Sequence, residues 1–208
     1  MMVIRATFTT FGRLNCVLVT EDKHLQDLIQ GCLKGDNRSQ QAIYRMFFGK
    51  MKAVCLRYTH DADQAMDVLQ EGFVKVFQNM ERYTGSGSFE GWIRRIMVNL
   101  SIDYFRRQRN DFVLLGEHQS VEEWEGDSET SDEEEEEEYD FKPSQIVEAM
   151  QQLSPAYRTV FNLYVFENYT HQDIADALGI SVGTSKSNYA KARKNMKKLL
   201  LKNVGKSI

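Results

Sequence analysis

An all-α fold is predicted, arranged as two small helical modules joined by a disordered acidic linker, and three observations predict it. Apolar residues recur at helical spacing in both halves of the chain. Only two of the 208 residues are proline, Pro143 and Pro155, which leaves long stretches open to helix. Between the halves, Asp111 to Asp140 holds 15 acidic residues and no Lys or Arg, a composition too poor in apolar surface to offset its own ordering entropy.

These shifts in composition set the expected boundaries at 21–110 for the first module, 111–141 for the linker and 142–208 for the second module. Residues 1–20 show no clear period and receive no role. The formal charge of -4 conceals the division, because residues 1–110 carry +5 and residues 141–208 carry +6. Two cationic bodies on an anionic tether keep polyanion binding open.

Cys16, Cys32 and Cys55 are odd in number and form no C-x-x-C pair, and the four histidines are scattered. No disulfide framework, metal site or cofactor is expected. The N-terminus lacks a signal-peptide core and no run has the length of a membrane span, so a cytoplasmic chain without membrane insertion is expected.

The elements follow in order. Leu25, Leu28, Ile29, Cys32 and Leu33 share one helix face, stopped by Gly35. A second helix is expected from about Ser39 to Tyr58, burying Ile43, Met46, Phe47 and Val54. After Asp61, a capping residue by type, Ala65, Val68, Leu69, Gly72, Phe73, Val76, Phe77 and Met80 form a stripe of more than four turns. The Gly/Ser loop from Thr84 to Ser88 breaks the pattern. Phe89, Trp92, Ile93, Ile96 and Leu100 then begin a fourth helix ending in Arg106, Arg107 and Arg109.

Beyond the linker, Ile146, Val147 and Met150 begin another helix, and Ser154-Pro155 reads as a cap with proline at the first helical position. Val160, Phe161, Tyr164 and Val165 are expected on the buried side of the next. Thr170 to Asp173 fits a capping box, Ile174, Ala175 and Leu178 continue at helix spacing, Gly179 ends that helix, and Ser181 caps a long final one. A short helix, a glycine turn and a longer basic helix make a helix-turn-helix.

From Lys186 to Ile208 there are eight Lys/Arg and no acidic residue. Small residues at the start of this helix let it enter a major groove, bringing Thr184, Ser187, Asn188 and Lys191 to base edges or phosphates, while Ser185, Tyr189, Ala192 and Met196 face inward. Opposite the apolar stripe of the third helix lie Asp63, Asp67, Gln70, Glu71 and Gln78, a solvated face or a protein-binding one. Tyr83, Phe89 and Trp92 accompany Arg82, Arg94, Arg95, Arg106 and Arg107, the aromatic and basic mix that stacks unpaired bases. Core packing competes for the same rings, and Asn99, off the stripe, is the better candidate to bond an extruded base.

Two runs carry a family resemblance. Asp67-Val68-Leu69-Gln70-Glu71 with Phe73 and Phe77, then Phe89, Trp92, Ile93, Ile96, Asn99 and Asp103, resembles region 2 of extracytoplasmic-function (ECF) RNA polymerase sigma factors. Tyr169-Thr170 through Ile174-Ala175, then Leu178 to Thr184 and Lys186-Ser187, is similar to the region 4 helix-turn-helix of the same family.

The resemblance implies a non-enzymatic subunit with three partners: core RNA polymerase, promoter DNA and an anti-sigma factor. Asp63, Asp67, Gln70 and Glu71 would meet core polymerase. Arg82, Tyr83, Ser86, Phe89, Trp92, Arg95, Asn99 and Arg106 would hold the melted minus-ten strand. Thr184, Lys186, Ser187, Asn188 and Lys191 would read the minus-thirty-five duplex. Met66, Ser185, Asn188 and the acidic linker depart from the family pattern, and Ser185 and Asn188 bear on which promoter is read. Two other readings fit parts of the chain: a helix-turn-helix regulator acting without core polymerase, and a sigma mimic that sequesters an anti-sigma factor. The linker charge of -15 is also expected to compete with DNA for the basic helices and to weaken DNA binding by the free protein.

Overall fold

The computed structural model describes residues 23–114 and 141–204. Among them are eight α-helices: α1 Lys23–Leu33, α2 Asn37–Tyr58, α3 Ala62–Gln78, α4 Phe89–Leu114, α5 Pro143–Gln151, α6 Pro155–Val165, α7 His171–Leu178 and α8 Val182–Val204. One 3-10 turn, Met80–Arg82, follows α3, and no strand occurs among the described residues. The expected N-terminal extension, most of the acidic linker and the self-inhibition ascribed to it lie outside the described residues.

Local chemistry accounts for the helix boundaries. The Asp36 carboxylate accepts from the backbone N–H groups of Arg38 and Ser39 and from the Ser39 hydroxyl, so α2 starts two residues before the expected Ser39. Asp61 accepts from the Gln64 N–H at 2.8 Å and caps α3. Helix α4 continues to Leu114, past the expected end at Arg109, so residues 111–114 belong to a helix and not to the linker. Neither Gly nor Pro occurs between Trp92 and Leu115 to stop it.

In the first module, Ala65, Val68, Leu69, Phe73 and Val76 of α3 pack with Ile43, Phe47, Met51, Val54 and Cys55 of α2 and with Phe89, Ile93, Met97 and Leu100 of α4. Helices α3 and α4 approach closely at Gly72, where a Cβ would stand 2.2 Å from the Met97 sulfur. Met46, expected inside, is 44% exposed. The buried row of α2 runs through Ile43, Phe47, Met51, Val54 and Tyr58, and at about 100° per residue Met46 points roughly 100° away from its centre.

The second module closes its own core from Ala149, Met150, Leu153, Phe161, Ala192, Met196 and Leu200. Pro155 occupies the first turn of α6, but Ser154 makes no side-chain capping bond. Tyr164, expected on the buried side of α6, is 38% exposed. Its ring instead stacks on His171, with centroids 4.6 Å apart.

Beyond the core of each module, the two pack together: Val160, Leu163, Ile174 and Leu178 of the second module belong to the same buried cluster as α2, α3 and α4. A second buried row on α4, Val98 and Ile102, lies off the stripe read from the sequence. It is apolar because α4 is covered on two sides.

Candidate nucleic-acid interface

The helix-turn-helix is set by three local devices. Thr170 and Asp173 form a reciprocal capping box, with the Thr170 N–H donating to Asp173 Oδ2 at 2.9 Å and the Asp173 N–H to Thr170 Oγ1 at 3.1 Å. The Thr170 hydroxyl, which donates to Asp173 Oδ2 at 2.7 Å, and then the Thr170 N–H hold the Asp173 carboxyl below its usual range. Gly179 ends α7 at φ 63°, a left-handed conformation costly for a residue with a Cβ. Ser181 Oγ then accepts from the Thr184 N–H at 2.9 Å and opens α8.

Helix α8 turns Ser185, Ala192 and Met196 inward, all fully buried, as its spacing predicts. Thr184, Lys186 and Ser187 are exposed at its start, and Asn188 and Lys191 are half-buried beside them. The five residues expected to read duplex DNA are therefore brought together on the first three turns of one helix. The Thr184 hydroxyl also bonds that of Ser181 at 2.8 Å, so the cap orients it.

The buried Ser185 hydroxyl is met by His171 Nδ1 at 3.0 Å. Burial, and then the nearby Lys186 charge, push the His171 imidazole below its ordinary range. No local spacing announces this pair, whose members stand 14 residues apart. A serine at an inward position was the only signal in the sequence.

On the first module, Arg95, Asn99 and Arg106 lie exposed along one side of α4, at i, i+4 and i+11. Arg106 pairs with Asp103 at 3.6 Å. Arg82, Ser86 and the half-buried Tyr83 sit on the segment leading into α4. The Tyr83 hydroxyl donates to the Gly87 carbonyl at 2.9 Å and ties that loop back.

Phe89 requires correction as a base-stacking residue, because it is only 1% exposed. Its ring stacks on Trp92 and meets Tyr83 and Phe47 edge-on. Its contribution is to support the half-buried Tyr83 and Trp92 from beneath. Arg94 leaves the expected nucleic-acid cluster too: its guanidinium takes both oxygens of Glu167 at 2.9 Å.

The acidic face of α3 is exposed at Asp63, Asp67, Gln70 and Glu71. Glu71 is partly engaged, by Lys75 at 3.2 Å and Arg107 at 3.8 Å. No group of His, Cys, Asp or Glu able to hold a metal occurs among the described residues. None of the described helices is long and apolar enough to cross a membrane.

Comparison with known families adds the decisive observation. The family model for sigma-70 region 2 matches residues 43–110, and that for sigma-70 region 4 matches residues 144–196. The chain belongs to the sigma-70 family. Several of its relatives are named as ECF sigma factors. The RNA polymerase sigma-H factor of Pseudomonas aeruginosa is 29% identical over 182 residues, covering 84% of this chain and 93% of that protein. The ECF RNA polymerase sigma factor SigW of Bacillus subtilis is 27% identical, with 80% and 91% covered. Among solved structures, the sigma factor RpoE of Bartonella quintana, in complex with the anti-sigma factor NepR, superposes with a TM-score of 0.44 at 18% identity over 77% of this chain and 95% of that one. Region 2 of this sigma factor thus comprises α2 to α4, and region 4 comprises α5 to α8.

What sequence reasoning missed in this sigma factor is the seam between the regions. Arg57, Arg94, Arg158, Asn162 and Glu167 meet there, from segments as much as 110 residues apart. Burial pushes the Arg57 guanidinium down and that of Arg158 to about 10. At Arg94 burial is outweighed by the Glu167 hydrogen bonds.

Proposed function

We propose that this ECF sigma factor divides its work between three faces. It binds core RNA polymerase and directs it to promoters. Asp67 and Gln70, with Asp63 and Glu71, form the docking face for core enzyme. The exposed row Arg95, Asn99 and Arg106, with Arg82, Tyr83, Ser86 and Trp92 at its head, holds the separated minus-ten strand by phosphate contact, stacking and hydrogen bonding. Thr184, Lys186, Ser187, Asn188 and Lys191 enter the major groove at the minus-thirty-five element.

The observation that carries this reading is the capped helix-turn-helix, whose terminal helix exposes only small, amide and basic groups at its leading end. An ordinary regulator would use the same helix, but it would have no need of region 2. We assign no catalytic residue, so the bond-forming chemistry belongs to the polymerase. The site of action is the cytoplasm, where that enzyme works, and an anti-sigma protein is the third partner expected of the family.

Run-off transcription on genomic fragments tests the reading. Core polymerase with this chain initiates at positions where core enzyme alone does not. Identical transcripts with and without the chain would reject it.

A further inference from the structure

We propose that His171 is a positioning residue for promoter reading: its bond to the buried Ser185 hydroxyl sets the depth and roll at which the leading end of α8 enters the groove. The inference rests on the minus-thirty-five reading of α8 and adds to it the contact that decides how sharply a sequence is read.

The leading end of α8 has little else to fix it against the rest of the module. Ala192, Met196 and Leu200, the α8 residues buried in the core of the second module, all lie in its later turns. From Val182 to Lys191, Ser185 is the only fully buried residue. The Ser181 cap, which accepts from the Thr184 N–H at 2.9 Å, acts within its own turn. It starts the helix without orienting it on α7. That orientation falls to the 3.0 Å contact between Ser185 Oγ and His171 Nδ1, the first residue of α7.

A serine in a buried row destabilises unless its hydroxyl is met, because the group gives up its water without compensation. His171 meets it from a fixed place. Its ring stacks on Tyr164 of α6, with centroids 4.6 Å apart and planes 18° apart, and meets Tyr189 of α8 edge-on at 5.8 Å. Tyr164 and Tyr189 in turn stand 4.4 Å apart, which closes a triangle of rings across three helices. The imidazole is thereby held in one orientation, as a group that positions others must be. Thr184 and Lys186 flank Ser185 directly, and Ser187 and Asn188 follow within one turn.

Leverage amplifies this single bond. Thr184 stands eight residues before Ala192, about 12 Å along the helix axis, so a tilt of about 5° about Ala192 moves its backbone by about 1 Å. A hydrogen bond to a base edge tolerates only about half an ångström of displacement. Thr184, Ser187 and Asn188 therefore lose their match to the bases. A lysine reaching a phosphate follows the same shift on its flexible stem, and Lys186 and Lys191 keep their contacts. Loss of the bond lowers discrimination between sequences and leaves the electrostatic part of affinity in place.

The test measures holoenzyme binding to two fragments: one on which wild-type holoenzyme initiates, and the same fragment with its minus-thirty-five element scrambled. The minus-ten contacts are common to both, so the affinity ratio reports region 4. His171→Phe keeps the ring stack and loses the bond, Ser185→Ala loses the bond from the other side, and His171→Asn keeps a polar atom at the place of Nδ1. The ratio should fall roughly tenfold in His171→Phe and in Ser185→Ala, the worth of one base-edge contact, with the slope of log affinity against log salt unchanged. The double variant His171→Phe/Ser185→Ala should fall no further than the single ones, and His171→Asn should stay near wild type. If Ser185→Ala loses helicity, His171→Phe and His171→Asn carry the comparison. An unchanged ratio in helical variants, an equal loss of affinity on both fragments, or a ratio in His171→Asn as low as in His171→Phe overturns the positioning role and leaves the sigma-factor reading intact. Equal affinity of wild-type holoenzyme for the two fragments overturns the minus-thirty-five reading instead.

Discussion

His171 Nδ1 on α7 lies 3.0 Å from Ser185 Oγ on α8, and this bond pins the two helices of the reading motif across a fully buried hydroxyl. Each partner leaves the other unsatisfied if removed, so Ser185→Ala is expected to cost about 1 kcal/mol of stability. The pH dependence has a definite sign. Burial and Lys186 lower the folded imidazole below the ordinary histidine value of 6.5, so the unfolded chain takes up the proton first as pH falls. This contribution to stability is lost progressively below pH 6.5 and levels off beneath the folded pKa. Thermal unfolding followed by circular dichroism should show that loss in wild type. His171→Phe, which keeps the stack on Tyr164 but cannot titrate, should flatten the curve. An equal slope in both would place the titrating group elsewhere.

That pair also marks where sequence reading stops. Asp61, Thr170, Gly179 and Ser181 were legible because a cap acts over about three residues, and the inward Ser185, Ala192 and Met196 followed from helix period alone. Arg57, Arg94 and Glu167 were not legible, since their contacts join residues 73 and 110 positions apart. A charge among the apolar positions of α2, Arg57 between Cys55 and Tyr58, was the one trace they left. Phe89 was ambiguous for a different reason: an aromatic ring beside arginines suits a base or a core equally, and only its burial decides between them. Met46 was misread because an apolar residue adjacent to a buried row need not belong to it.

Gly72→Ala tests the close approach of α3 and α4. The added Cβ would stand 2.2 Å from Met97 Sδ and 2.7 Å from Cε, so the variant should lose about 1–3 kcal/mol in urea unfolding. The clashing atoms are the flexible end of a side chain, which favours the lower part of that range. Because the clash requires Met97, the loss in Gly72→Ala/Met97→Ala should be smaller than the sum of the single losses. Strict additivity would mean that the strain resides in the backbone.

The docking face yields a prediction about assembly. Asp67→Ala with Gln70→Ala should abolish co-purification with core polymerase while helical content stays unchanged, because both side chains are exposed and contribute nothing to the core. Glu71→Ala should be milder, since Lys75 and Arg107 already hold that carboxylate in the free chain. Undiminished assembly of the double variant would move the docking face away from α3.

The recognition helix can be divided into positioning and reading residues by salt dependence. A lysine that neutralises a phosphate contributes to affinity through counterion release, whatever the neighbouring base. Lys191→Ala should therefore weaken duplex binding to all sequences alike and reduce the slope of log K against log salt by about 1. Asn188 is neutral, so it releases no counterion. If it reads a base edge, Asn188→Ala should leave the slope unchanged and cost about 1–3 kcal/mol on the preferred sequence, with little effect elsewhere. Fluorescence anisotropy titrations over a range of salt, on the preferred duplex and on a scrambled one, separate the two. A slope change for Asn188→Ala, or a sequence-dependent loss for Lys191→Ala, would exchange the assignments on α8.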